Sequence, residues 1–324
     1  MDGVLPPLAD ALAAGPVVLD GGLSTELEAR GHDVSSALWS ARLLRDEPDA
    51  VVAAHAAFAA AGAQVATTAS YQATVEGFGA AGVDRDEALA LVARSVELAR
   101  RGAPGGWVAG SVGPYGAALA DGSEYTGAYA DPGWTGRAGG GLTVAELRAF
   151  HRPRMAALAG AGADVLACET VPAAAEAEAL LAEAEVLGVP VWLSLTTVVD
   201  EAGVARTRRG EPAADVFAMA RGAGAVVAVG VNCTDPAAVG TALAAAAAAG
   251  TPLVAYPNSG ESWDAGARRW TGTGGVDPAA AQGWMTAGAR LVGGCCRVGP
   301  AGIAALARTV GNRVGRRDLG HRGL

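Results

Sequence analysis

The chain has 324 residues, a formal net charge of −9 and no lysine. An acidic chain of this kind excludes nucleic acid as a partner. The missing amine excludes Schiff-base aldolase chemistry, pyridoxal phosphate attachment and a P-loop.

From the N-terminus, Met1-Asp2-Gly3 lacks the basic and apolar regions of a signal peptide. No apolar run approaches the roughly 18 residues of a membrane span. A soluble, cytoplasmic protein is therefore expected. Short β-like runs alternate with alanine-rich helical stretches. The first run, Val17-Val18-Leu19, ends in Asp20-Gly21-Gly22. A helix follows from about Asp49 to Ala61, with Val52, Ala56 and Ala59-Ala60 at helical spacing. The second run is Gln64 to Thr68. A helix over about Arg85 to Arg101 puts Leu89, Val92 and Val96 on one face, and the third run is Trp107 to Val112.

Residues 113–142 carry Tyr115, Tyr125, Tyr129 and Trp134 among many glycines. About 30 residues without periodicity inside a compact domain suggest a lid or binding loop. Thr143-Val144-Ala145-Glu146 then matches a helix capping box. The fourth run, Asp164 to Cys168, ends in Glu169-Thr170, and a helix follows from about Ala173 to Leu187. The fifth run is Val191 to Leu195. The sixth, Val226 to Asn232, ends at Cys233, and the seventh is Leu253 to Tyr256. The eighth, Ala289 to Val292, leads into Gly293-Gly294-Cys295-Cys296. A last helix covers about Pro300 to Val310. Residues 311–324, with Arg313, Arg316 and Arg317, are expected to be a flexible basic tail.

Eight β-then-α units with continuously apolar strands predict an α/β fold, a single (β/α)8 TIM barrel, over an open doubly wound sheet. No G-x-G-x-x-G follows the first strand, which weakens the dinucleotide-binding alternative. One domain spanning 1–324, with its core over about 17–310, is expected. Chemistry in such barrels sits at the C-terminal ends of the strands. Those ends supply Asp20, Ser70, Tyr71, Glu169, Cys233, Cys295 and Cys296.

Four cysteines in this length do not make a disulfide framework, and reduced thiols are expected. Adjacent Cys295 and Cys296 pair poorly with each other. Three thiols at two strand ends, with no fourth protein ligand in sight, are either small buried residues or a zinc site with an open position. Strands six and eight are two apart around a barrel, so Cys233 can meet the Cys295-Cys296 pair, which favours zinc. Cys168, one residue before the mouth, reads as core packing. Asp20 either forms a turn with Gly21-Gly22 or joins Glu169 in binding an ammonium group or in acid–base work. The histidines are scattered and read as surface or packing residues.

At these residues the sequence resembles the homocysteine S-methyltransferases. Gly-Val-Asn232-Cys233 and Gly-Gly-Cys295-Cys296 are similar to that family's zinc-ligand motifs. Asp20 to Leu27, Thr68 to Gln72, Gly110 to Gly116 and Cys168-Glu169-Thr170 are similar to other landmarks. Leu119 to Tyr125 and Tyr256 to Glu261 bring it nearest to the S-methylmethionine-dependent branch. The resemblance runs over residues 17–310. It departs at Arg208-Arg209-Gly210-Glu211, where an acidic residue is expected before the glycine.

The resemblance implies zinc on Cys233, Cys295 and Cys296. Homocysteine would be held by Asp20, Glu169, Asn232 and the backbone near Ser70 and Tyr71. Tyr115, Tyr125, Asn258 and Glu261 are implied on the donor side. The implied reaction is methyl transfer from a sulfonium, S-methylmethionine or S-adenosylmethionine, to the homocysteine thiolate, giving methionine. A betaine-dependent enzyme carries a longer C-terminus, and folate-dependent methionine synthases carry further domains. A zinc barrel that binds thiols without turnover is the non-catalytic alternative. Small-molecule partners only, and a monomer, are expected.

Overall fold

The computed structural model describes residues 5–320 apart from 35–37, 39, 265–268, 272 and 273, and leaves the side chains of 262–270 and 312–320 aside. Eight strands form its centre: β1 (Val17–Val18), β2 (Val65–Thr67), β3 (Trp107–Val112), β4 (Val165–Val171), β5 (Val191–Leu195), β6 (Val226–Asn232), β7 (Leu253–Tyr256) and β8 (Ala289–Val292). They pair in the order β1-β8-β7-β6-β5-β4-β3-β2, every pair parallel. The ring closes where Leu19 bridges Val65 and the Gln64 amide donates to the Val18 carbonyl at 2.8 Å. The expected (β/α)8 barrel is the architecture found.

Strand side chains alternate between two cores, as a pleat requires. Val17, Leu19, Val65, Trp107, Val165, Trp192, Val254 and Leu291 fill the barrel interior. Leu8 and Leu12 of the first helix, Leu8–Ala14, join this cluster, and the Trp107 indole donates to the Pro6 carbonyl at 2.9 Å. Val18, Val108, Leu166, Cys168, Leu193, Val229 and Val292 face outward into the helix layer. Both faces are buried, which is why the runs read as continuously apolar. Cys168 is plain core, and burial pushes its thiol up to about 12.

Three expectations need correcting. The helix from Pro300 continues to Gly320, so the basic segment after Val310 is helical through that residue, while residues 321–324 lie outside the described set. Strand β4 runs to Val171, beyond Cys168, through a register shift at Glu169-Thr170, with Thr170 at φ 59°. Glu169 is therefore held inside the strand. Segment 113–142 contains the helix Tyr115–Leu119 and two 3-10 turns. Tyr129 is fully buried in a small core with Leu142, Leu147 and Ala179, and Tyr115 and Trp134 pack on it. Among the described residues no helix is long and apolar enough to cross a membrane.

A buried polar chain fixes that segment. Glu176 accepts from the Tyr115 amide at 2.7 Å, from the Tyr129 hydroxyl and from His151 Nε2 at 2.9 Å. Arg154 donates to His151 Nδ1 at 2.7 Å and to the Gly113 carbonyl. Burial, then the Arg154 charge, hold the His151 pKa down at about 4, so the imidazole is neutral with its proton on Nε2. Glu176→Ala leaves two or three buried donors unmet and is expected to cost about 3–5 kcal/mol. Urea unfolding checks this, and a loss under about 1 kcal/mol would mean that the chain does not hold the segment.

Candidate active site

Loops at the C-terminal ends of the strands enclose one cavity, about 780 Å³ including space open to solvent. Cys233 follows β6 in the left-handed region, φ 44°. Cys295 and Cys296 follow β8 after two glycines that admit no side chain. A Cβ at Gly293 would lie 2.8 Å from the Asp20 carbonyl, and one at Gly294 2.3 Å from Val298. The Cys295 amide donates to the Pro257 carbonyl at 2.8 Å, and the Ser259 amide to the Cys296 carbonyl at 3.1 Å. The loop after β7 thus braces the cysteine loop.

The three sulfurs lie within 4.8 Å of one another. Cys296 Sγ is 3.7 Å from Cys233 Sγ and 4.0 Å from Cys295 Sγ. A tetrahedral ion with bonds of about 2.3 Å keeps its sulfurs about 3.8 Å apart, so these two edges suit one ion. Cys233 and Cys295 are joined as a disulfide, with Cα atoms 5.6 Å apart, where three free thiols were expected. The physical reason is proximity: sulfurs close enough to share a cation are close enough to bond when oxidised. Metal binding by all three requires the reduced pair. The donor set is that of a thiolate metal site, and its cluster contains no fourth protein ligand among the described residues.

Two carboxylates face the same cavity. Asp20 accepts from the Thr67 amide at 2.7 Å and the Thr67 hydroxyl at 2.8 Å. Its side chain reaches across to β2 and does not form a local turn. Glu169 accepts from the Ser111 hydroxyl and from Tyr256. Each is less than a tenth exposed, and burial pushes each pKa up to about 7 against the pull of these hydrogen bonds. Neither meets a cationic side chain among the described residues. Two buried carboxylates without a counter-charge form a receptor for a cation.

Asn232 orders the floor of the cavity. Its Nδ2 donates to the Thr170 hydroxyl at 2.7 Å, while Oδ1 accepts from the Thr170 amide at 2.6 Å and from Ser194 at 2.8 Å. Ser194 lies 2.7 Å from the Tyr256 hydroxyl, to which the Trp192 indole donates at 2.9 Å. Asn232 therefore holds the bulge that presents Glu169. Thr67, Ser111 and Tyr256 were not singled out from the sequence. Position at or near a strand end could have found all three, and Ser111 and Tyr256 also lie in the Gly110–Gly116 and Tyr256–Glu261 landmarks.

Of the other expected residues, Tyr71 and Tyr125 line the cavity. The Tyr125 hydroxyl donates to the Cys296 sulfur. Ser70 does not line it: its hydroxyl donates to the Ser111 carbonyl at 2.7 Å and meets Thr68 at 2.6 Å. Among the described residues no acceptor meets the Ser70 or Tyr71 amide. Tyr115 packs on Phe150 and Tyr129, with centroids 4.8 and 5.2 Å away. Asn258 and Glu261 are also outside the cavity wall. Glu261 is paired with Arg297 at 3.1 Å, and the Asn258 amide donates to the Thr234 carbonyl at 3.2 Å. At the departure from the expected loop sequence, Arg209 is paired with Asp131 and ties that loop to segment 113–142.

Comparison with known proteins agrees with this arrangement. A family model described as homocysteine S-methyltransferase matches residues 17–310. The homocysteine S-methyltransferase of Escherichia coli (strain K12) is 45% identical over 308 residues, covering 90% of this chain and 94% of that protein. Homocysteine S-methyltransferase 4 of Zea mays is 42% identical over 321 residues, covering 92% of this chain and 90% of that protein. The crystal structure of the homocysteine methyltransferase MmuM from Escherichia coli in its metallated form superposes with a TM-score of 0.79 at 41% identity, over 94% of this chain and 99% of that one. A cysteine trio and a carboxylate pair at the mouth of a barrel, matched along nearly the whole chain, place this protein in the homocysteine S-methyltransferase family.

Proposed function

We propose that the protein transfers a methyl group from a sulfonium, S-methylmethionine in the first instance, to the thiolate of L-homocysteine, with zinc held by Cys233, Cys295 and Cys296. One observation carries this reading: three sulfurs and two uncompensated buried carboxylates converge on one cavity. Bound zinc supplies an open ligand position at which an incoming thiol is deprotonated. The carboxylates Asp20 and Glu169 hold the homocysteine ammonium, and its positive charge draws both back to their ionised forms. The amide of Tyr71, a residue of the cavity wall, is unmet by a protein acceptor among the described residues and holds the homocysteine carboxylate. Asn232 keeps Glu169 and Thr170 in register, and Tyr125 hydrogen-bonds Cys296 at the donor side.

The substrate sulfur attacks the methyl carbon in line. A new C–S bond forms, the donor's C–S bond breaks, and its electron pair neutralises the sulfonium. Opposite charges cancel, so an interior that excludes water favours the step. With S-methylmethionine both products are methionine. The check is a competition assay in which S-methylmethionine and S-adenosylmethionine, at equal concentration, meet reduced, zinc-loaded protein. Methionine drawn mainly from S-methylmethionine is expected. Homocysteine binding without product from either sulfonium would refute the reading and leave a thiol-binding barrel.

A further inference from the structure

We infer that Arg208 binds the carboxylate of the methyl donor and so selects sulfonium donors that carry one. This rests on the methyl-transfer reading above. Arg208 follows the antiparallel hairpin of Thr197–Val199 and Ala205–Thr207 that extends beyond β5. Its guanidinium lies over the Tyr125 ring, 5.9 Å from the centroid. Nε and Nη2 both donate to Thr196 Oγ1 at 3.1 Å, and Thr196 donates onward to the Cys233 carbonyl at 3.1 Å. The side chain thus touches Tyr125, which contacts Cys296, and Thr196, which contacts Cys233. It is one residue removed from the sulfur trio on either side, and adjoins the cavity through Tyr125, a wall residue, without lining it itself.

Its charge balance sets it apart from its neighbours. Arg206 meets Asp200, Arg209 meets Asp131, and Arg297 meets Glu261. Arg208, only partly exposed, meets no carboxylate among the described residues. Burial pulls its pKa down, opposed only by the neighbouring Tyr125 hydroxyl. A cation that is desolvated and fixed by hydrogen bonds, yet unpaired, is unfavourable until an anion arrives. Both bonds to Thr196 engage one edge of the guanidinium, and Nη1 makes no hydrogen bond among the described residues. The free edge is a planar fork that matches a carboxylate in two-point contact.

Electrostatics then decides which donor enters. A sulfonium approaching a lone guanidinium is repelled. A donor that also carries a carboxylate cancels the guanidinium charge and keeps its own positive end for the thiolate. S-methylmethionine, S-adenosylmethionine and other carboxylated sulfoniums share this group, whereas simple alkyl sulfoniums lack it.

The test compares wild type with Arg208→Gln on two donors, S-methylmethionine and its carboxamide, with direct titration of each donor into the zinc-loaded protein. In wild type the carboxamide is expected to bind about 10- to 100-fold more weakly than the acid. Arg208→Gln should weaken S-methylmethionine by a similar factor, bind the carboxamide at least as tightly as wild type does, and leave the homocysteine KM unchanged. Equal losses on both donors, an unchanged S-methylmethionine affinity, or an effect on homocysteine instead would overturn the assignment. Failure of the underlying reading is a separate result, since wild type would then turn over neither sulfonium.

Discussion

Cys296→Ser is expected to lose its metal and to lower methyl transfer by about a thousandfold or more. Removing one of three thiolates sacrifices several kcal/mol of a binding energy that totals about 10–16 kcal/mol in structural zinc sites, and about 4 kcal/mol already corresponds to a thousandfold. Cys296 is the informative choice because it stands outside the Cys233–Cys295 disulfide. The variant leaves Cys233 and Cys295 in place, so a loss of metal is assigned to the third thiolate. Metal content after reduction and reloading, measured beside activity, checks the prediction. Full occupancy with full activity would remove Cys296 from the site.

Glu169→Gln is expected to raise the homocysteine KM by about 10²–10³-fold while making the ligand-free protein more stable at pH 8. Burial pushes the Glu169 carboxyl from 4.5 up to about 7, and Asp20 from 3.8 to about 7. A raised acid pKa means that the folded state prefers the proton. Each group's contribution is therefore favourable below its unfolded pKa and is lost as the pH rises from about 4 towards 7. At pH 8 the folded protein carries two buried charges at a cost, and a neutral amide at Glu169 removes one of them, for a gain of about 1–3 kcal/mol. The same charges are what an ammonium needs, so affinity should fall as the pH drops below 7, by up to about tenfold per unit for each carboxylate that must be ionised. Methionine, which has no thiol proton to release, isolates this effect in a binding titration. Thermal unfolding and methionine affinity measured together would refute the assignment if Glu169→Gln were destabilised at pH 8 and bound methionine normally. Asp20→Asn should shift affinity the same way, although one Thr67 hydrogen bond is lost with it.

Barrel class and the sulfur trio were both legible in the sequence, for one reason: strands buried on two faces are written as continuous apolar runs, and the residues just after each run lie at the mouth. β3 and β5 were bounded correctly because their apolar runs stop at Gly113 and Thr196. β4 was cut short because Glu169 and Thr170 are polar, and nothing local announces that pairing resumes at Val171 beyond the bulge. Contacts across the ring were not legible. Asp20 with Thr67 spans 47 positions and Arg209 with Asp131 spans 78. Aromatic content marked segment 113–142, but composition does not say which ring turns inward. Tyr125 reaches Cys296, while Tyr115 and Tyr129 are held back by Glu176. The Cys233–Cys295 disulfide was not foreseen, because the run pattern brings the thiols together but does not say whether they are oxidised.

X-ray absorption at the zinc edge of the reduced, zinc-loaded protein tests the central claim most directly. Without substrate the spectrum should fit three sulfur neighbours and one lighter atom. On adding L-homocysteine the lighter atom should be replaced by a fourth sulfur at about 2.3 Å. A first shell that keeps its lighter neighbour at saturating homocysteine, or that never contains three sulfurs, would contradict the account.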